Sequence, residues 1–201
     1  MSQITTLEQL RALYHLPAPL AVAKDLHHID QHTQTFIENS TLFFLATKSA
    51  DGLLDVSPRG GEAGFVKVLD DQTLGFPDTP GNNRLDTLTN LLTHPEVGLL
   101  FVVPGIEDVV RIKGTASIHV DDAIREHCLD GKTIPKLVIK VAVETLLFHC
   151  PKAFMKSAIW KAESHQTRDL LPSLLNIIKD QQKEKAQRKE KAQRKEKAQR
   201  S

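Results

Sequence analysis

Cysteine is scarce in this chain of 201 residues, which contains only Cys128 and Cys150. Two cysteines cannot form the disulfide framework of a small secreted domain. The first thirty residues also lack a basic segment followed by a long apolar core, the pattern of a signal peptide. We therefore expect a cytoplasmic protein.

Long apolar runs are missing as well. The longest, around Leu42 to Ala46 and Val97 to Val103, are strand-sized and fall far short of the ~20 residues needed to cross a bilayer. With 40% apolar and 25% charged residues, the composition is that of a soluble globular protein. The length fits one core with an appendage, and we expect no membrane-spanning segment.

The familiar phosphate-binding motifs are absent too. No Gly-x-Gly-x-x-Gly follows a strand and there is no Walker loop, so the usual dinucleotide and nucleoside triphosphate folds lack their phosphate-binding parts. The alternation of strand and helix that marks a doubly wound sheet is missing.

Charge is unevenly distributed, although the formal net charge is only +1. Residues 183–201 hold nine Lys and Arg against three Glu, which leaves residues 1–182 net acidic. An acidic body argues against a general nucleic-acid-binding surface on the folded part.

The basic tail is a threefold repeat of Lys-Glu-Lys-Ala-Gln-Arg from Lys183 to Arg200. A period of six rotates each Ala to a different side of a helix, so no apolar stripe forms. Pairs such as Glu184 and Arg188, four residues apart, favour a solvated helix. The alternative is a basic arm that touches nucleic acid or acidic lipid.

The remaining pattern predicts an α+β fold with mostly antiparallel strands. Six or so strands and few long helices favour a small barrel with peripheral helices. The predicted β segments are 41–47, 53–57, 65–69, 73–76, 97–103, 109–120 and 136–148. The predicted helices include 30–39 and 121–129, besides a short one that Thr5 or Thr6 caps. We expect an N-terminal helical extension (1–29), a barrel domain (30–162), a C-terminal helix (163–182) and the repeat tail (183–201).

Two segments combine basic residues with turn residues in a way that suits a phosphate ester. At the end of the second strand, the glycines after Arg59 allow close backbone approach, and Ser57 and Arg59 are donors. Farther along, Asn82 or Asn83 could cap a helix, which would place free backbone N–H groups beside Arg84. A purely structural turn is the alternative at each place.

Two pairs of cations are further candidates for an anion. Arg111 and Lys113 share one face of a strand, with Val110 on the other face. Lys152 and Lys156 are four apart on a predicted helix. A solvated surface is the alternative for both pairs.

Nucleophilic and metal sites are disfavoured. His149 and Cys150 are neighbours on a strand and point to opposite faces, so they cannot readily form a catalytic pair. His28 and His32 are four apart on a possible helix, but no third metal ligand is indicated. We expect no metal site.

Eight motifs in one order join these pieces. They are residues 42–47, 56–60, 64–70, 76–86, 90–95, 100–105 and 111–114, and the segment from His149 through Trp160. In this order they closely resemble the pyridoxamine 5′-phosphate oxidase-like flavoproteins, over roughly residues 30–162. The resemblance implies a split β-barrel that forms a homodimer and holds FMN in a groove between the two subunits.

The resemblance also implies site residues. Ser57, Arg59, Asn83 and Arg84 match the family's phosphate-binding strand and helix start. Arg111 and Lys113 match a strand that approaches the flavin from the same or the partner subunit, and nearby charge there could stabilise an anionic reduced flavin. Lys152 and Trp160 match a C-terminal segment near the groove.

One departure bears on the substrate. The chain lacks the C-terminal Arg-x-His-x-Arg segment of true pyridoxamine phosphate oxidases, because the repeat occupies that place. The leading hypothesis is an FMN-dependent oxidoreductase acting on a small-molecule redox substrate. The alternatives are a non-enzymatic flavin- or haem-binding or sensing protein of the same fold, and a tethering module that acts through its tail.

Overall fold

Seven antiparallel strands form one sheet with the order β2-β1-β5-β6-β7-β4-β3. The structure is a computed structural model, which describes residues 3–199. The strands are β1 Leu42–Lys48, β2 Leu54–Gly60, β3 Lys67–Asp70, β4 Thr73–Pro77, β5 Glu96–Val102, β6 Val109–His119 and β7 Val138–His149. Each lies within a few residues of a segment that the hydrophobic pattern predicts.

Aromatic packing shows that the sheet is rolled. Phe43 of β1 and Phe76 of β4 lie on strands far apart in the sheet order, yet their ring centroids are 5.0 Å apart. Phe101 of β5 is equally close to Phe43, and all three rings are fully buried. One face of the sheet therefore encloses the apolar core, which confirms the α+β split-barrel fold.

A glycine permits the close approach of the two longest strands. The β6–β7 register shifts between Lys113 and Gly114, where the ladder has a bulge. A Cβ atom at Gly114 would lie 2.1 Å from the carbonyl oxygen of Ala142. Only glycine fits this position without displacing the β7 backbone.

Short helices surround the barrel. They are α1 Leu7–Arg11, α2 Pro19–Val22, α3 Gln31–Asn39, α4 Asp86–Thr93, α5 Asp122–His127 and α6 Lys152–Ser157. Thr6 caps α1 and accepts a hydrogen bond from the Gln9 N–H. Asp30 caps α3 in the same way, which fixes the start of the helix that buries Ile37.

The chain divides into two compact units, Met1–Trp160 and Lys161–Ser201. The second unit contains two short 3₁₀ turns and then α7, Leu174–Gln199, which continues without a break into the repeat. The domain boundaries after residues 29, 162 and 182 stay predictions. Among residues 3–199, none of the helices has the length and apolar character needed to span a membrane.

The repeat forms a solvated helix. From Lys183 onward every side chain that the structure describes is exposed. Arg188 Nη2 lies 2.6 Å from Glu184 Oε1, which confirms the first predicted pair. The equivalent pairs of the later repeats, Glu190 with Arg194 and Glu196 with Arg200, involve side chains outside the described part.

Deletion of residues 183–201 should therefore leave the melting temperature of the protein within about 2 °C of the full chain, because the repeat contributes no buried apolar surface. Thermal unfolding followed by circular dichroism checks this. A fall of more than about 5 °C would show that the repeat docks on the acidic body.

Candidate functional site

A cavity of about 620 Å³ lies in the first unit, at the end of β2. Its walls are Ser57–Arg59 of β2, the connection 78–85 after β4, the first turn of α4 and the pair Lys136–Leu137 that precedes β7. Its volume is within the range of small-molecule sites, which is roughly 300–1,000 Å³.

The β2 wall presents donors. Ser57 and Arg59 lie on one face of the strand and are half-buried, whereas Pro58 between them is exposed. Proline is tolerated here because β2 is an edge strand, which in the described sheet pairs with β1 alone. The alternation thus directs both donor side chains toward the cavity.

Arg59 is only partly paired. Its Nη1 lies 3.2 Å from Asp78 Oδ1, and both side chains are 19% exposed. Its Nε is buried and has no hydrogen-bond partner among the residues that the structure describes. A guanidinium carries five N–H donors, so this one retains free donors for an anion.

The loop wall differs from the sequence prediction. Neither Asn82 nor Asn83 caps α4: the N-cap is Leu85, and no side chain accepts a cap hydrogen bond there. The Asn82 Oδ1 atom instead accepts the backbone N–H of Arg84 at 3.0 Å. Asn83 and Leu85 have φ of 59° and 60°, so the chain turns through two left-handed residues before the helix. The prediction that Asn82 or Asn83 caps this helix is therefore wrong, because the Asn82 side chain accepts a hydrogen bond within the preceding turn instead.

Arg84 has a carboxylate neighbour. Its Nε donates to Asp86 Oδ2 at 2.8 Å, and Asp86 occupies the first turn of α4. Both side chains are more than half exposed, so solvent screens the pair and the bond is easily exchanged. The N-terminus of a helix carries a partial positive charge that favours a negative group, and the carboxylate of Asp86 supplies one to α4.

The cavity brings together Ser57, Arg59, Asn83 and Arg84, four of the predicted site residues. It adds three charged residues that the sequence prediction missed, Asp78, Asp86 and Lys136. Lys136 reaches the cavity because β7 pairs with β4, and the N–H of Asp78 donates to Leu137 O at 3.1 Å. No local signal marks Lys136, since its location depends on the strand order.

Arg111 and Lys113 do not line this cavity. Both are exposed on β6, while Val110 and Ile112 are fully buried, as the alternation predicts. Across the ladder Arg111 faces Leu100 on one side and Leu147 on the other. The two cations therefore belong to the outer face of the sheet.

Lys152 and Trp160 are also away from the cavity. Lys152 is exposed at the start of α6. The Trp160 Nε1 atom donates to Ile106 O at 2.9 Å, and its ring stacks on Phe154 with centroids 5.9 Å apart. These contacts anchor the end of the first unit to the β5–β6 connection.

The two thiols are in different environments. Cys150 is exposed, and the nearby ring of His149 contacts the Cys150 carbonyl oxygen rather than its sulfur. Cys128 is fully buried, and burial raises the pKa of its thiol. Neither arrangement is that of an activated nucleophile. Within residues 3–199 there is no cluster of three or more His, Cys, Asp or Glu side chains suited to a metal ion.

Solved structures with a similar backbone come from several bacteria. HupZ of Group A Streptococcus is 24% identical over 59% of this chain and 91% of its own, with a TM-score of 0.48. A candidate pyridoxamine 5′-phosphate oxidase of Lactobacillus delbrueckii is 27% identical over 62% and 98%, with a TM-score of 0.47. General Stress Protein 26 of Bacillus anthracis is 18% identical over 57% and 88%, with a TM-score of 0.43.

Comparison with curated protein sequences finds no match. The sequence model described as pyridoxamine 5′-phosphate oxidase matches residues 29–150. This range is more than half of the chain and contains every strand of the sheet together with the cavity. The chain therefore belongs to the pyridoxamine 5′-phosphate oxidase-like family.

Proposed function

We propose that this protein is an FMN-binding oxidoreductase and that the cavity beside β2 holds the FMN phosphate. The observation that carries the proposal is the half-paired guanidinium of Arg59, whose buried Nε lacks a partner. A buried donor without a partner is costly, and a phosphate oxygen would satisfy it.

The charges of the cavity support a phosphate. Arg59 forms an ion pair with Asp78, and Arg84 forms one with Asp86. Among the described residues, neither guanidinium pairs with a second carboxylate. Lys136 makes no ion pair with any residue that the structure describes. With Asp78 and Asp86 included, the cavity keeps a net positive charge, which favours a dianionic group.

The lining also favours a phosphate ester over haem. Haem iron is held by His, Cys, Met or Tyr side chains. None of these types is among the described residues that line the cavity.

Bound FMN would supply hydride or electron transfer at its ring, and the protein would supply binding and orientation. Ser57, Arg59, Asn83, Arg84 and Lys136 would hold the phosphate, since all five line the cavity. The outer-face cations, together with the C-terminal segment at Lys152 and Trp160, are proposed to approach the ring from the same or the partner subunit.

The outer face of the sheet supports a homodimer. Leu54 and Val56 of β2 are 77% and 65% exposed, and Phe44 of the neighbouring strand is 37% exposed. The β1–β2 register sets Val56 opposite Ala46 and Pro58 opposite Phe44, so these side chains form one apolar surface. Exposed apolar surface of this kind is typical of an interface, and a second copy is its proposed partner.

The phosphate assignment predicts a selective loss of affinity. The Arg59→Ala variant should bind FMN about thirtyfold more weakly, roughly 2 kcal/mol, because a half-buried charge-assisted donor is lost. Arg84→Ala should lose only about fivefold, since Arg84 is exposed and its charge is screened. Riboflavin, which has no phosphate, should bind each variant as it binds the natural protein. Isothermal titration with both ligands measures these differences.

Arg11→Ala is the matched control, because Arg11 is an exposed arginine on α1 outside the cavity. Melting temperatures report whether loss of the Asp78 ion pair disturbs the fold. Equal losses of FMN and riboflavin in the Arg59 variant would contradict the phosphate assignment.

A charged substitution in the apolar surface tests the proposed dimer. Val56→Glu should convert the protein to a monomer in light scattering, because a carboxylate would be buried in the apolar interface. Val120→Glu is the control, since Val120 is 66% exposed but lies beyond the end of β6. A natural protein that is monomeric with one FMN bound would exclude a groove shared by two subunits.

Catalysis is tested on the purified holoprotein. The mass and absorption spectrum of the copurified ligand should be those of FMN. Bleaching of the flavin bands by NADH or NADPH, with reoxidation by an added acceptor, would support an oxidoreductase. A flavin that dithionite reduces but that neither NADH nor NADPH bleaches would indicate a non-enzymatic flavin-binding protein.

A further inference from the structure

A buried amide ties α4 to the barrel. Asn90 is 5% exposed, and its Nδ2 donates to Thr47 Oγ1 of β1 at 3.0 Å. The same nitrogen donates to Asp55 Oδ2 of β2 at 2.7 Å. Thr47 and Asp55 are directly opposite in the β1–β2 register, so one side chain contacts both strands.

These hydrogen bonds join the two walls of the cavity. Asp55 alternates with Ser57 and Arg59 along β2, so all three lie on the same face of the strand. On the helix, Asn90 is one turn from Asp86 and Thr87, which line the opposite wall. The separation of the walls therefore depends on the Asn90–Asp55 contact.

The β2 strand needs such a tie. It is an edge strand with no fully buried residue, and among the strands that the structure describes it pairs with β1 alone. The Arg59–Asp78 ion pair is a second polar contact of β2, and it reaches the connection 78–85. An anion that binds Arg59 would compete for this ion pair, whereas the Asn90–Asp55 hydrogen bond lies outside the cavity lining and would remain.

We propose that Asn90 is a positioning residue for the anion site: it holds β2 against α4 so that Arg59 and Arg84 face one phosphate. This inference rests on the proposed phosphate site. Asn90 does not itself contact the ligand, because it is absent from the cavity lining.

The main variant is Asn90→Asp, which places a carboxylate beside that of Asp55. Repulsion should separate the walls, and the dissociation constants for FMN and for inorganic phosphate should rise about tenfold at pH 8. The riboflavin constant should change less than twofold. Adding Asp55→Asn exchanges donor and acceptor, so the double variant should recover most of the affinity.

Two further variants keep the test decisive. Thr89→Asp adds the same charge on the exposed side of α4 and should leave all three constants unchanged. If Asn90→Asp fails to fold, Asp55→Ala removes the acceptor without burying a charge and should weaken FMN about fivefold.

The outcomes separate the two proposals. A lower melting temperature with unchanged FMN and phosphate constants, or no recovery in the double variant, would show that Asn90 only stabilises the fold. A natural protein that binds phosphate but not FMN, with phosphate lost in Asn90→Asp, would overturn the FMN proposal and support the positioning role. Binding of neither probe would overturn both.

Discussion

The packing of Phe43 against Phe76 and Phe101 is the constraint on which the site depends. These rings bring β1 and β4 together although three strands lie between them in the sheet order. Burial of three aromatic rings contributes several kcal/mol, on the order of 2 kcal/mol for each ring. Because the sheet is rolled, the end of β2 meets the connection that follows β4, and the cavity forms where they meet.

The electrostatics of the cavity follow from that closure. A guanidinium removed from water needs compensation, and Asp78 supplies part of it while leaving the Nε atom unsatisfied. Incomplete pairing leaves donors of Arg59 available to the proposed phosphate, whereas complete pairing would occupy them. Asp86 likewise forms an ion pair with Arg84, but both side chains are more exposed, so solvent weakens this ion pair.

Much of this architecture is readable from the sequence. Alternation and turn residues locate every strand, and the order of motifs groups Ser57 and Arg59 with Asn83 and Arg84, which the cavity indeed brings together. The start of α4 could not be predicted from the sequence, because Leu85 adopts the left-handed conformation, which residues with a branched side chain rarely adopt. The location of Lys136 cannot be read from the sequence either, because it is the pairing of β7 with β4 that brings this residue to the cavity.

The β2 strand connects the two proposed roles of the barrel. One face carries Ser57 and Arg59 toward the cavity, and the other carries Val56 on the apolar outer surface. In the proposed dimer, packing of a second copy on Val56 would restrain the same edge strand that Asn90 holds from the opposite side. Dimerisation and phosphate binding would then stabilise each other, because both require the same position of β2.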